Sequence, residues 1–203
     1  MTSYLLKKVL PFILAVVATW WWTIAHADIP KSADNERAKM IHQSVLTIDS
    51  HIDWPIRQIL NPGFDPGIGH QTKLLNSGQW DLVRMEVGGL DGAFMSIFTP
   101  QRNLTDEGYA QAKDLANRMI KRTYRFVSNH ADRAAIALSP QDAYRLEREG
   151  KRAIFMGMEN GYPLGTNINA VQSFYNQEIR NITFTHSKNN QLGDSSTKKQ
   201  QKW

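Results

Sequence analysis

His51 and Asp53 stand two residues apart in the stretch Thr47-Ile48-Asp49-Ser50-His51-Ile52-Asp53, just after the apolar run Val45-Leu46-Thr47-Ile48. An imidazole nitrogen and a carboxylate oxygen side by side can grip one zinc-like cation. An extended backbone would place them so, because strand side chains alternate with a period of two. The same pair also suits a strand end at which a histidine and an aspartate merely satisfy each other's hydrogen bonds. Two further apolar runs end in comparable groups. Ala153-Ile154-Phe155-Met156-Gly157-Met158 delivers Glu159-Asn160-Gly161, and Ile182-Thr183-Phe184-Thr185 delivers His186.

The elements that must position these groups follow from periodicity and punctuation. Val45 to Ile48 is too short for a helix and reads as a buried strand, stopped by Pro55. Before it, Ala38, Ile41 and Val45 recur at helical intervals behind an N-cap at Ser32 or Asp34, with His42 on the surface. Asn61 to Gly69 is turn chemistry throughout. It reads as a loop lying over the His51/Asp53 strand end, with His70 exposed. Trp80 to Met85 leads to a turn at Gly88-Gly89-Leu90-Asp91-Gly92, and Ala93 to Phe98 is a second buried strand. Thr105 starts the longest helix, with Tyr109, Ala112, Ala116, Met119, Ile120, Tyr124 and Val127 as its apolar stripe and His130 at its end. Ala134 to Leu138 is a short extended piece. Ser139-Pro140 opens a helix that Gly150 closes, and another spans 168–175. Strands that are nearly continuous in apolar residues and alternate with helices predict a parallel α/β fold, whose strand C-terminal ends converge on one face.

The chain has 203 residues, 41% hydrophobic and 21% charged, as expected of a single globular core. Its net charge of +5 is scattered rather than gathered on one face, so no nucleic-acid partner is expected. Lys7 and Lys8, the apolar run Val9 to Ile24, and Ala25-His26-Ala27 form a leader with a small-x-small cleavage signal. Export to the periplasm or the exterior is expected, with cleavage after Ala27 and membrane contact only if the leader stays attached. Without cysteine the chain forms no disulfide and carries no lipid on sulfur.

Three ordered motifs, Asp49-Ser50-His51-Ile52-Asp53-Trp54-Pro55, Gly157-Met158-Glu159-Asn160-Gly161 and Ile182-Thr183-Phe184-Thr185-His186-Ser187-Lys188-Asn189-Asn190, resemble the membrane (renal-type) dipeptidase family. The Gly-Gly turn before an apolar strand within 84–98 is similar too, and the resemblance covers roughly residues 40–197. It implies a zinc peptidase of the amidohydrolase-like (β/α)₈ barrels, with two zinc ions per site and a metal-bridged hydroxide that hydrolyses dipeptides. By the same resemblance His51 and Asp53 would bind one zinc, Glu159 would bridge both, and His186 would contact the substrate and stabilise its tetrahedral intermediate.

The family holds its second zinc with two later histidines, and no histidine follows His186 in this sequence. The expectation is a truncated member whose activity is impaired. Its parts would be a signal peptide (1–27), a lead-in segment and helix (28–45), the first four βα units of the barrel (46–197) and a basic tail (198–203). Unpaired strand edges would then be covered by a homodimer or leave the half-barrel partly unfolded. The alternative is a non-catalytic α/β module that binds a peptide or another subunit.

Overall fold

A computed structural model describes residues 31–70 and 78–197; the leader, the spacer up to residue 30 and the basic tail lie outside them. The chain divides at Ile41/His42 into two compact units. Most of helix α1 (Lys31–Gln43) falls in the first, where Lys39 pairs with Glu36 at 3.1 Å. The helix stops before Val45, which is exposed and belongs to the connection to β1. Among the described residues no helix is long and apolar enough to cross a membrane.

The second unit is built on a five-stranded sheet in which every recorded pairing is parallel. β1 (Ile48–Ile52) pairs with β2 (Gly92–Phe98), and β2 pairs along its whole length with β4 (Arg152–Glu159). The other edge of β4 is shared. Short β3 (Ala134–Ile136) takes its first half and β5 (Ile179–Thr183) its second half. Leaving β3 aside, the long strands lie side by side in chain order, as consecutive βα units do.

Helices α2 (Trp54–Leu60), α3 (Leu82–Val87), α4 (Asp106–Asn129), α5 (Pro140–Arg148) and α6 (Asn169–Tyr175) connect the strands, with a 3₁₀ turn at Tyr162–Leu164. Their ends obey local chemistry. The Thr105 hydroxyl accepts from Gly108 N–H at the start of α4, and Ser139 does the same for Asp142 N–H at α5. Gly150, at φ +72°, lets the chain leave α5.

Alternation along the strands separates two faces. Ile97, Met156 and Met158 pack with Ala116, Met119 and Ile120 of α4 and Phe174 of α6, while Met95 and Ile154 join Trp54, Trp80 and Phe126. Phe126, not Tyr124 or Val127, is the buried end of the α4 stripe, and its ring stands edge-on to Trp54 with centroids 5.1 Å apart. Tyr124 is exposed; its hydroxyl donates to Glu178 instead. On the opposite face Phe94 and Phe155 stack at 4.7 Å over Ala143 and Leu146 of α5.

Several predicted boundaries shift. The first strand is not the buried run Val45 to Ile48 but a mostly exposed segment three residues later, since among the described residues β1 pairs with β2 on one side only. The last strand starts at Ile179 and ends at Thr183, so His186 lies beyond it. The loop at 61–70 does not lie over the strand ends. Its Pro66 carbonyl accepts from Leu82 N–H, its Gly67 carbonyl from Arg133, and Asp65 meets His130 at the end of α4. His70 is half-buried, stacked on Phe64 with its ring on the Asp65 carbonyl.

Asp81 fastens this loop to α3. Its buried carboxylate accepts from Arg84 N–H at 2.8 Å, His70 N–H at 2.9 Å and Arg84 Nε at 2.7 Å. Burial pushes the carboxyl upward, but the hydrogen bonds from Arg84 and His70 outweigh it and hold the pKa below its ordinary 3.8. Asp81→Asn is expected to cost about 2–3 kcal/mol in urea unfolding at neutral pH. Because the folded pKa is the lower one, the wild-type advantage is complete above the ordinary carboxylate pKa and shrinks as pH falls through the depressed value. An advantage that stays constant through acid would contradict this assignment.

Candidate metal centre

Glu159 is the last residue of β4, a strand buried along most of its length, and its side chain is only 13% exposed. It receives groups from three other segments. His51 Nε2 lies 3.2 Å from Oε2, His186 Nε2 lies 3.3 Å from Oε1, and the Ser96 hydroxyl donates to Oε2 at 2.6 Å. Asp53 joins through His51, its Oδ1 lying 3.2 Å from the same Nε2. One ligand atom each from His51, Asp53 and Glu159 lie within 4.8 Å of one another. All four residues singled out from sequence are thus brought together, although His186 lies 27 positions after Glu159 and His51 lies 108 positions before it.

His51 and Asp53 do not meet by strand alternation. Asp49 pairs with Ala93 but Ile52 pairs with Met95, so three steps on β1 match two on β2. This bulge places Ile52 beside Met95 against the core and turns His51 toward Glu159. Asp49 supports the bend by accepting His51 N–H on its side chain at 2.9 Å. Asp53 has left the strand altogether. At φ −86°, ψ 18° it is the N-cap residue of α2, yet its side chain caps nothing. Pro55, one of the first two residues of that helix, offers no N–H to a cap, which leaves the carboxylate free to face His51. The helix start is anchored by Trp54, whose Nε1 donates to Met95 Sδ in the core.

His186 is held by a rim of amides. Asn160, buried at φ +70°, donates to the Thr99 carbonyl, and its Oδ1 accepts from Asn190 Nδ2 at 3.0 Å. Asn190 also donates to the Phe184 carbonyl, and Ser195 Oγ donates to the His186 carbonyl itself. The turn after β4 and the segment after β5 therefore form one hydrogen-bonded unit. The Phe98 ring meets the His186 ring edge-on at 5.1 Å. The sequence marked Asn160 and Asn190 within motifs without assigning them a task; a buried asparagine at positive φ is a signal visible only in the fold.

The donor set fits a zinc-like ion. Imidazole nitrogen and carboxylate oxygen are its ordinary ligands, and the 3.2 Å spacings approach the ~3.4 Å expected of donors about 2.1 Å from one tetrahedral ion. Glu159 presents its two oxygens to different neighbours, Oε2 to His51 and Oε1 to His186. His51 and His186 are each 46% exposed, so the centre is open to small solutes on one side.

Comparison with known proteins covers the stretch of chain that carries these residues. A model of the family described as membrane dipeptidase (peptidase family M19) matches residues 35–203. Dipeptidase ataJ of Aspergillus terreus (strain NIH 2624 / FGSC A1156) is 27% identical over 164 residues, covering 78% of this chain and 40% of that protein. Among solved structures, the probable dipeptidase PvdM from Pseudomonas aeruginosa is 30% identical with a TM-score of 0.66, covering 79% of this chain and 40% of its own. A metallo peptidase from Rhodobacter sphaeroides, solved with a phosphinate mimic of the dipeptide L-Ala-D-Ala, shares the fold at 19% identity and a TM-score of 0.58 over 72% of this chain and 47% of its own. The chain spans about 40% of the length of the curated relative. Its parallel sheet and covering helices correspond to part of the barrel-like fold of these enzymes, and the chain belongs to the membrane dipeptidase family, peptidase family M19.

Proposed function

We propose that this chain carries one half of a zinc dipeptidase site. The observation that supports this most strongly is the meeting of His51, Asp53 and Glu159 donor atoms within 4.8 Å at the ends of separate segments. In this reading His51 and Asp53 would hold zinc together with Glu159, the carboxylate that two zinc ions would share. Bound zinc would supply an activated water and polarise the scissile carbonyl. The chain's own groups do the rest. His186, exposed on the rim and fixed by the Asn160 and Asn190 amides, directs an imidazole toward the space beside Glu159, where it can hydrogen-bond the oxygen that gains charge as a peptide carbonyl is attacked. The low exposure of Glu159 keeps its carboxylate away from bulk water and strengthens its hold on a cation. The substrate class is a dipeptide, in keeping with the names of the relatives. The leader supports export, with cleavage after Ala27.

The 203-residue polypeptide tested by itself is proposed to be a poor catalyst, because the donor group that its described residues bring together has only three members, His51, Asp53 and Glu159. Purified as it stands and supplied with zinc, it should hydrolyse dipeptides orders of magnitude more slowly than a full-length relative. A rate near the relative's would contradict this part of the proposal.

Zinc binding tests the site independently of turnover. Competition with a chromogenic chelator should give stoichiometric zinc for the wild type, and a loss of affinity of about 100-fold or more for His51→Ala and for Glu159→Gln. Equal binding by all three proteins would favour the alternative of a non-catalytic peptide-binding module.

A further inference from the structure

The geometry points to Ser96 as the residue that orients the Glu159 carboxylate for metal binding. Ser96 is on β2, in register with Gly157 of β4, two residues before Glu159. Its side chain lies on the face that also carries Phe94 and Phe98, opposite Met95 and Ile97. That face is layered. The stacked Phe94 and Phe155 rings form the lower layer and Glu159 the upper, with Ser96 and Gly157 between them. Gly157 has no side chain to offer, and a Cβ there would come within 2.4 Å of Asn181 Oδ1. Ser96 is therefore the group in β2 and β4 that can reach up to Glu159 from below.

Its hydroxyl does so at 2.6 Å, in the range of a hydrogen bond from a hydroxyl to a charged carboxylate. The residue is 3% exposed, so water cannot easily take its place. The terminal torsion of a glutamate is broad and roughly two-fold, and a carboxylate at a strand end needs an outside contact to hold one orientation. Ser96 supplies it on Oε2, the oxygen nearer His51, and so leaves Oε1 turned toward His186. A buried hydroxyl that only needed a partner could have used a nearby backbone carbonyl, as Thr123 does with the Met119 carbonyl one helical turn back in α4. Here it is spent on the residue where the other contacts converge.

The inference rests on the proposed reading of Glu159 as a metal ligand, and the test separates the two. Zinc affinity is measured by chelator competition for wild type, Ser96→Ala and Ser96→Thr, with the melting temperature of each metal-free protein. Ser96→Ala should bind zinc about 10–100-fold more weakly. Its metal-free melting temperature should stay close to wild type, and Ser96→Thr, which keeps the hydroxyl, should recover most of the affinity. The inference fails if Ser96→Ala binds within about twofold of wild type. It also fails if Ser96→Thr is no better than Ser96→Ala, or if the weaker binding comes with a large drop in metal-free melting temperature. If the wild type itself binds no zinc, the reading of the whole site is overturned, and this inference with it.

Discussion

A carboxylate at the end of a buried strand must find partners, and Glu159 finds them in three segments at once. The cost of burying a charged group is large unless hydrogen bonds or opposite charge compensate it. β4 is the best protected strand of the sheet, paired with β2 from Ala153 to Glu159 and with β3 and β5 on its other edge. Glu159 is its terminal residue, paired with Phe98 on one side and Thr183 on the other, so the carboxylate is carried by a strand held on both edges. His51, His186 and Ser96 are then arranged about it. The bulge in β1, the uncapped Asp53 and the amide rim of Asn160 and Asn190 are all ways of bringing side chains from softer segments to that fixed point.

The surrounding structure explains why these softer segments hold. β1 is an outer strand, and the start of α2 directly after it is pinned by Trp54 and by the aromatic cluster with Trp80 and Phe126. The segment after β5 has little regular structure of its own. It is held by hydrogen bonds from Asn190, Gln191 and Ser195 to carbonyls of the two rim segments. A centre made this way combines a carboxylate at the end of a fully paired strand with partners held mainly by side-chain hydrogen bonds.

Much of this was legible in the sequence, because the relevant signals are local. The apolar runs ending at Phe98 and Met158, the Thr105 and Ser139 caps and the Gly150 exit each depend on a few adjacent residues. The features that escaped depend on distant neighbours. The bulge between Asp49 and Ile52 is a mismatch with β2, which no pattern within 48–53 reveals. The placement of Ile179 rather than Ile182 at the start of β5 is set by pairing with Met156. Phe126 outranks Tyr124 in α4 because two tryptophans from other segments lie beside it. Ser96 reads as a polar interruption of an apolar strand until Glu159 is seen beside it.

The central claim is that His51, Asp53 and Glu159 form a metal centre, and X-ray absorption at the zinc edge on the zinc-loaded protein tests it most directly. The account predicts bound zinc with a low-coordinate shell of nitrogen and oxygen at about 2.0–2.2 Å and the outer-shell scattering of an imidazole ring, which vanishes in His51→Ala. A fully hydrated ion, or an imidazole signal that persists in His51→Ala, would contradict it.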